Sequence, residues 1–166
     1  MNPIIMALPY PEIKVKEKNP AYANLLSIDY CGAVSEMSAI TQYINNEAWL
    51  SCEKSPIAQT ILGLAVAEMM HLRKLGELII LLGGTLDFSI RQQNGKRAFW
   101  TPAYLTIPEH AKKMISADIE AEKEAIRQYQ AHIKMINDPD VNAVLARIIQ
   151  DEEYHILILK SLIKEV

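Results

Sequence analysis

The chain has 166 residues, half of them hydrophobic, and a formal net charge of −3. That length suits one compact domain with a real core, and the near-balanced charge offers no footprint for a nucleic acid or an anionic membrane surface. The two cysteines, Cys31 and Cys52, make no Cys-x-x-Cys spacing, which argues against zinc, a rubredoxin-type iron centre or a disulfide framework and points to a reducing, cytoplasmic setting.

Residues 1–10 are apolar but lack basic residues and are interrupted by Pro3 and Pro9, so they read as neither a secretory signal nor a membrane span. With Pro11 and the alternation Ile13-Lys14-Val15-Lys16, they form an expected extended arm over 1–19, lying along the rest of the molecule or along a neighbouring subunit. Asn19-Pro20 then gives an N-cap followed by proline at the first helical position, and a first helix is expected to run to about Leu50. Ser55-Pro56 repeats the signal for a second helix that ends at Leu82, where Gly83-Gly84 stops it.

Residues 83–108 form one long connection, polar through Arg91, Gln92, Gln93, Asn94, Gly95 and Lys96 and aromatic at Phe99, Trp100 and Tyr104. A helix of the expected length is about 40 Å long, and an extended segment of this size spans that distance. A crossover between parallel second and third helices is therefore possible. Thr106-Ile107-Pro108-Glu109 has capping-box spacing and opens a third helix ending near Asn137; Asp138-Pro139 opens a fourth that runs almost to Val166.

Apolar seams stepping by four and three residues support these helices. The second carries Ile61, Leu64, Glu68, His71, Leu75 and Leu78; the third Ile115, Ile119, Glu122, Ile126 and Tyr129; the fourth Leu145, Ile148, Glu152, His155 and Leu159. The first is less regular, with Asp29, Gly32, Glu36 and Tyr43 on the same steps. The expected fold class is all-α, a four-helix bundle over 20–166.

The chemistry sits inside those seams. Glu68-Met69-Met70-His71 and Glu152-Glu153-Tyr154-His155 each set a carboxylate and an imidazole three residues apart, on one helical face. Glu36 precedes the first by 32 residues and Glu122 precedes the second by 30, so the chain reads as a pseudo-repeat of two hairpins. A single Glu-x-x-His is common on helices, but two copies with matching upstream glutamates are not. Four carboxylates facing an apolar interior cost several kcal/mol per uncompensated ion, roughly, unless protons or cations relieve them. Glu36, Glu68, His71, Glu122, Glu152 and His155 are thus candidate ligands for two metal ions, with iron or manganese suited to mixed carboxylate and imidazole donors.

On these motifs the chain resembles the ferritin-like superfamily, which includes bacterioferritins, rubrerythrins and manganese catalases, over roughly residues 20–164. The resemblance implies a ferritin-like four-helix bundle with a long crossover between helices 2 and 3. It further implies a di-iron or di-manganese centre that reacts with peroxide or dioxygen as oxidase, peroxidase or catalase. Tyr10-Pro11, Asn19-Pro20, Tyr30-Cys31-Gly32, Glu36 and Tyr43 look like the opening of manganese catalases and their spore-coat relatives; that branch implies Glu152 as a base beside the metals instead of a ligand. Since the sequence stops soon after its fourth helix, the longer C-terminal tail of true manganese catalases is not expected. In bacterioferritins a methionine at the position of Met69 ligates haem between subunits, but methionine is a routine gap-filler on helices and haem is not expected. Eleven residues follow His155, too few for the fifth helix of ferritin cages.

Tyr43 and Tyr129 each lie seven residues after a ligand glutamate and are candidates to hydrogen-bond the ligands, although a seam tyrosine is more often a core residue. Asp29 is the remaining seam acid and a candidate acceptor behind the ligands. His110 and His132 are expected at the surface, as are Glu120, Glu124 and Glu153. An external electron donor is expected where a reductant is needed, since no cysteine pairs supply one, and long apolar helix faces suggest a homodimer. The alternative function is metal binding for sequestration or assembly without turnover, or a bundle with a vestigial site.

Overall fold

The computed structural model describes residues 2–92 and 94–166; Met1 of the expected arm and Gln93 of the crossover lie outside the described residues. Among the described residues there are five α-helices: α1 (Pro20–Cys31), α2 (Glu36–Cys52), α3 (Ala58–Leu81), α4 (Ala111–Met135) and α5 (Pro139–Leu162). The most extensive packing is within two hairpins, α2 on α3 and α4 on α5, while α2 meets α4 and α3 meets α5 across the bundle. This is the expected ferritin-like helical bundle. Among the described residues, no helix is long and apolar enough to cross a membrane.

The first rod is not the continuous helix that the sequence suggests. It breaks after Cys31, and α1 and α2 lie along it as separate segments. A Cβ on Gly32 would lie 2.6 Å from the Ile28 carbonyl oxygen, so glycine permits the chain to leave the helix here while its N–H still donates to that carbonyl. Ser35 restarts the helix by accepting from the Ser38 N–H at 3.2 Å, and the Gln128 amide donates to the Val34 carbonyl inside the break. The weak periodicity of this stretch had its cause in that break.

The crossover also holds more than an extended strap. Strands β1 (Ser89–Arg91) and β2 (Arg97–Phe99) pair antiparallel, Ile90 opposite Ala98, and a 3-10 turn follows at Pro102–Tyr104. The Trp100 indole N–H donates to Ser38 Oγ at 3.0 Å, fixing the crossover to the start of α2. The capping box expected at Thr106 does not form, because the Thr106 N–H is spent on Gln42 Oε1; α4 begins at Ala111 with no side-chain cap. Smaller differences are that α3 starts at Ala58 instead of Pro56 and α5 stops at Leu162.

Two apolar layers result. One gathers Leu26 of α1, Leu75, Leu78 and Ile79 of α3, and Leu145 and Ile148 of α5; the other gathers Leu50, Ile61, Leu64, Met114, Ile115 and Leu159. Between them lies the stretch of each seam that carries Glu and His. Residues 2–19 have neither helix nor strand and run over α3 and α5 of their own chain, held by Ile4 N–H to the Gly63 carbonyl (3.1 Å) and Lys16 N–H to Asp138 (2.8 Å).

Asp138 joins two of these features, since one oxygen caps α5 at the Asp140 and Val141 N–H groups while the other holds the arm. Replacing it by alanine, Asp138→Ala, is expected to cost about 1–3 kcal/mol in urea unfolding, the sum of a lost cap and a lost buried acceptor. A change below a few tenths of a kcal/mol would contradict that role.

Candidate metal centre

Helices α2 to α5 each contribute to one point in the bundle. Glu36 is the first residue of α2, where the break presents its carboxylate at a helix N-terminus that favours negative charge. Glu68 and His71 come from one face of α3, Glu122 from α4, and Glu152 and His155 from one face of α5. None of the six is more than 4% exposed.

Their donor atoms fall into two overlapping sets, Glu36–Glu68–His71–Glu152 and Glu68–Glu122–Glu152–His155, each with its atoms within 4.8 Å of one another. Glu68 turns Oε2 to His71 Nδ1 (2.8 Å) and Oε1 to His155 Nδ1 (2.9 Å). Glu152 does the same with Oε1 (3.2 Å) and Oε2 (2.9 Å). Glu36 and Glu122 each approach one histidine only, at 3.6 and 3.3 Å. Two shared carboxylates and two end pairs give the cluster an approximate two-fold arrangement.

The donor set fits a pair of cations. Glu68 Oε1, Glu152 Oε2 and His155 Nδ1 are buried without hydrogen-bond partners, although they lie close together. Buried polar atoms are rarely left so, and atoms that face one another without hydrogen-bond alignment suit a shared ion. The outer nitrogens are occupied: His71 Nε2 lies 3.2 Å from Asp151 Oδ2 and His155 Nε2 lies 2.8 Å from the Ile4 carbonyl. Each partner is an acceptor, so each Nε2 donates outward, and Nδ1 is the nitrogen left to meet a cation once its own proton is displaced.

Electrostatics say the same. Burial, then the neighbouring Glu68 and Glu152 charges, hold the Glu36 and Glu122 carboxyls well above the usual range. Burial also pushes Glu68 upward, but the His155 and His71 imidazoles outweigh it and bring its pKa down. Burial disfavours both imidazolium ions, yet the carboxylates around His71 and His155 raise them well above the usual histidine value. Without cations the cluster gathers protons; cation binding would displace them.

Tyr43 donates to Glu122 Oε1 and Tyr129 donates to Glu36 Oε1, so the two tyrosines cross between the repeats. Burial, and then the adjacent glutamate, raises both phenols well above their ordinary value and keeps the donating proton in place. The crossing also gives the helix directions, because Tyr43 and Tyr129 each follow their own glutamate by seven residues. The helices α2 and α4 must be antiparallel, and therefore α3 and α4 are parallel, as the crossover requires.

Asp29 lines the same cavity as the glutamates but hydrogen-bonds none of the six residues. It is buried against His132 Nδ1 (2.7 Å) and the Gln128 amide (2.8 Å). His132 is therefore interior, 7% exposed, and not the surface residue expected from its place off the seam; the acid on α1 draws it inward. Met69 points outward from α3 and is 43% exposed, while Glu120, Glu124, Glu153 and His110 are exposed as expected.

Sequence reasoning passed over Asp151, which is fully buried beside Glu152 and meets His71, Tyr10, Arg147 and the Met6 N–H. The signal was there: Arg147 and Asp151 are an i, i+4 charge pair in the otherwise apolar start of α5. It also passed over Asp118, held by the Asn46 amide at 3.0 Å.

A cavity of about 290 Å³ reaches this cluster between α2 and α4. All four glutamates line it and neither histidine does, and its walls include Ala39, Ala121 and Ala125, with Tyr104, Leu105 and Thr106 of the crossover. A molecule of a few atoms fits against the carboxylates. Asp118 lines the same space.

A helical bundle that brings two Glu-x-x-His faces and two further glutamates around one interior point defines a ferritin-like di-metal carboxylate protein. Residues 32–163 match the rubrerythrin family model, and the chain belongs to the rubrerythrin family. It is 22% identical to a probable manganese catalase of Clostridium acetobutylicum over a 172-residue alignment that covers 93% of this chain and 76% of that protein. Among solved structures, KatB, a manganese catalase from Anabaena PCC7120, superposes with a TM-score of 0.83 at 24% identity over 96% of this chain and 78% of its own. The bacterioferritin BfrA of Mycobacterium tuberculosis gives 0.74 at 22% identity, covering 89% of this chain and 87% of that one. These likenesses establish a shared fold.

Burial, only partly offset by the Asn46 amide, pushes the Asp118 carboxyl from 3.8 up to about 7. A raised folded-state value means that its contribution to stability is full below about pH 4 and is lost as pH rises through about 7. The Asp118→Asn variant is therefore expected to gain melting temperature relative to the parent as pH is raised across that window. An unchanged difference between the two at all pH values would show that Asp118 titrates as an ordinary carboxylate.

Proposed function

We propose that this chain binds two iron or manganese ions and reacts with peroxide or dioxygen. The observation that carries the reading is the interlocking of the two ligand sets through Glu68 and Glu152. Glu36 and His71 would hold one ion, Glu122 and His155 the other, with Glu68 and Glu152 shared. Glu152 is read as a second bridge and not as a free base, because its two oxygens are disposed toward the two imidazoles as those of Glu68 are. A redox-active pair of this kind exchanges two electrons with a small oxygen species.

The protein's own groups would do the rest. The cavity admits a small molecule from the carboxylate side, Tyr43 and Tyr129 hold Glu122 and Glu36 in orientation, and the apolar layers keep bulk water from the ligands. The four glutamates balance the charge of two divalent ions. Where a reductant is required it would come from another protein, since the two cysteines stand apart, one buried on α1 and one exposed at the end of α2. A cytoplasmic homodimer belongs to the same proposal, supported by exposed Ile80 and Leu81 on α3 and Leu86 and Phe88 beyond it.

The test loads the protein with manganese or iron, counts ions per chain, and follows peroxide with and without a reductant. Oxygen evolution without reductant identifies a catalase, reductant-dependent consumption a peroxidase, and dioxygen consumption by the reduced centre an oxidase. Two bound ions that raise the melting temperature without any turnover would instead leave metal binding or assembly as the function. The bridging assignment makes a sharper prediction: His71→Ala should lose about one ion per chain, whereas Glu68→Ala should lose both, by elemental analysis of loaded protein. Full loading of a His71→Ala/His155→Ala double variant would overturn the ligand set.

A further inference from the structure

We propose that the N-terminal arm is a working part of the metal centre, a strap that fixes the ring orientation and proton position of both histidines. The inference rests on the dinuclear reading above. The cavity leaves the carboxylate side of the cluster accessible, whereas the imidazole side is closed by residues 4–10.

The strap acts on the two rings by different routes. On His155 it acts directly, since the Ile4 carbonyl accepts from Nε2 at 2.8 Å. On His71 it acts through Asp151, whose carboxylate accepts from the Met6 N–H at 2.7 Å and the Tyr10 hydroxyl at 2.5 Å, and faces His71 Nε2 at 3.2 Å. Arg147 ties the two together, with Nη1 2.7 Å from Asp151 and Nη2 donating to the Met6 and Leu8 carbonyls at 2.9 and 3.1 Å.

The arm meets α3 at a residue without a side chain. The Ile4 N–H donates to the Gly63 carbonyl, and a Cβ on Gly63 would lie 2.9 Å from Ile4 Cγ1 and Cδ1, so a larger residue there must turn the Ile4 side chain aside, and a β-branched one crowds the residue whose carbonyl holds His155. The partners also differ in kind. A carboxylate behind one imidazole and a neutral carbonyl behind the other make His71 the more basic ligand, so two ends that look alike among their ligands differ through the strap.

Point variants of the full chain test this, because none removes a ligand. Gly63→Val displaces Ile4; Tyr10→Phe and Met6→Pro each remove one donor to Asp151. Binding is read with manganese ions alone against a competing chelator, and proton position by nitrogen NMR of the histidine rings in zinc-loaded protein. Gly63→Val is expected to weaken one ion by about 10–100-fold and to disturb the His155 signals alone; the Tyr10→Phe/Met6→Pro pair is expected to do so for the His71 side. If Gly63→Val lowers helicity, Tyr10→Phe alone, a change of one oxygen atom, decides through the His71 signals. Variants that bind two ions as tightly as the parent with unchanged ring signals overturn the strap. A parent chain that binds neither manganese nor iron overturns the dinuclear reading, and the strap with it.

Discussion

Four carboxylates share a space from which water is largely excluded, and the rest of the molecule is arranged around the cost of keeping them there. In an apolar interior like charges at these separations repel strongly, so the cluster is stable only when protons or cations compensate it. The two imidazoles suit either state, as charged partners of Glu68 and Glu152 when protons are taken up and, on the dinuclear proposal, as the neutral ligands they would become if metal replaced those protons. A fold whose interior needs compensating charge has metal affinity built into its stability. The apolar layers above and below oppose that cost by burying hydrophobic side chains from every helix.

The internal repeat expresses the same constraint in sequence. Two turns of helix, about 10.5 Å, separate each terminal glutamate from the tyrosine that follows it. With α2 and α4 antiparallel, that spacing carries Tyr43 to Glu122 and Tyr129 to Glu36, so each half of the chain steadies a glutamate of the other. Neither hairpin completes the arrangement by itself. The break between α1 and α2 fits here as well, because it lets Glu36 stand at a helix start, with Ser35 capping the backbone and Gln128 filling the gap from α4.

Much of this was readable in the chain because helical periodicity and ligand spacing are local properties. Glu68 with His71 and Glu152 with His155 need only three-residue spacing to share a face, and the seams put both pairs inside. The break at Gly32 was less legible, since glycine at a helix end and glycine within a helix look alike without the Ile28 carbonyl beside it. His132 was misplaced because its burial depends on Asp29, over a hundred residues away in sequence, and not on its own seam. The hairpin in the crossover escaped notice because its strands are three residues each, shorter than any alternation pattern can register.

The two faces of the cluster divide the work between them. The glutamates look into a cavity whose walls include Ala39, Ala121 and Ala125, which is the side from which the proposed small reactant would approach. The histidines look the other way, into hydrogen bonds that are shielded from solvent and that depend on residues distant in sequence. Carboxylates can shift their mode of binding as charge changes at a metal pair, which needs room, whereas imidazoles serve best when held in one orientation, which needs contact. Room on one side and contact on the other follow from the small residues of α2 and α4 and from an arm that closes over α3 and α5. Changing either face would alter a different property of the centre, entry on the one and ligand geometry on the other.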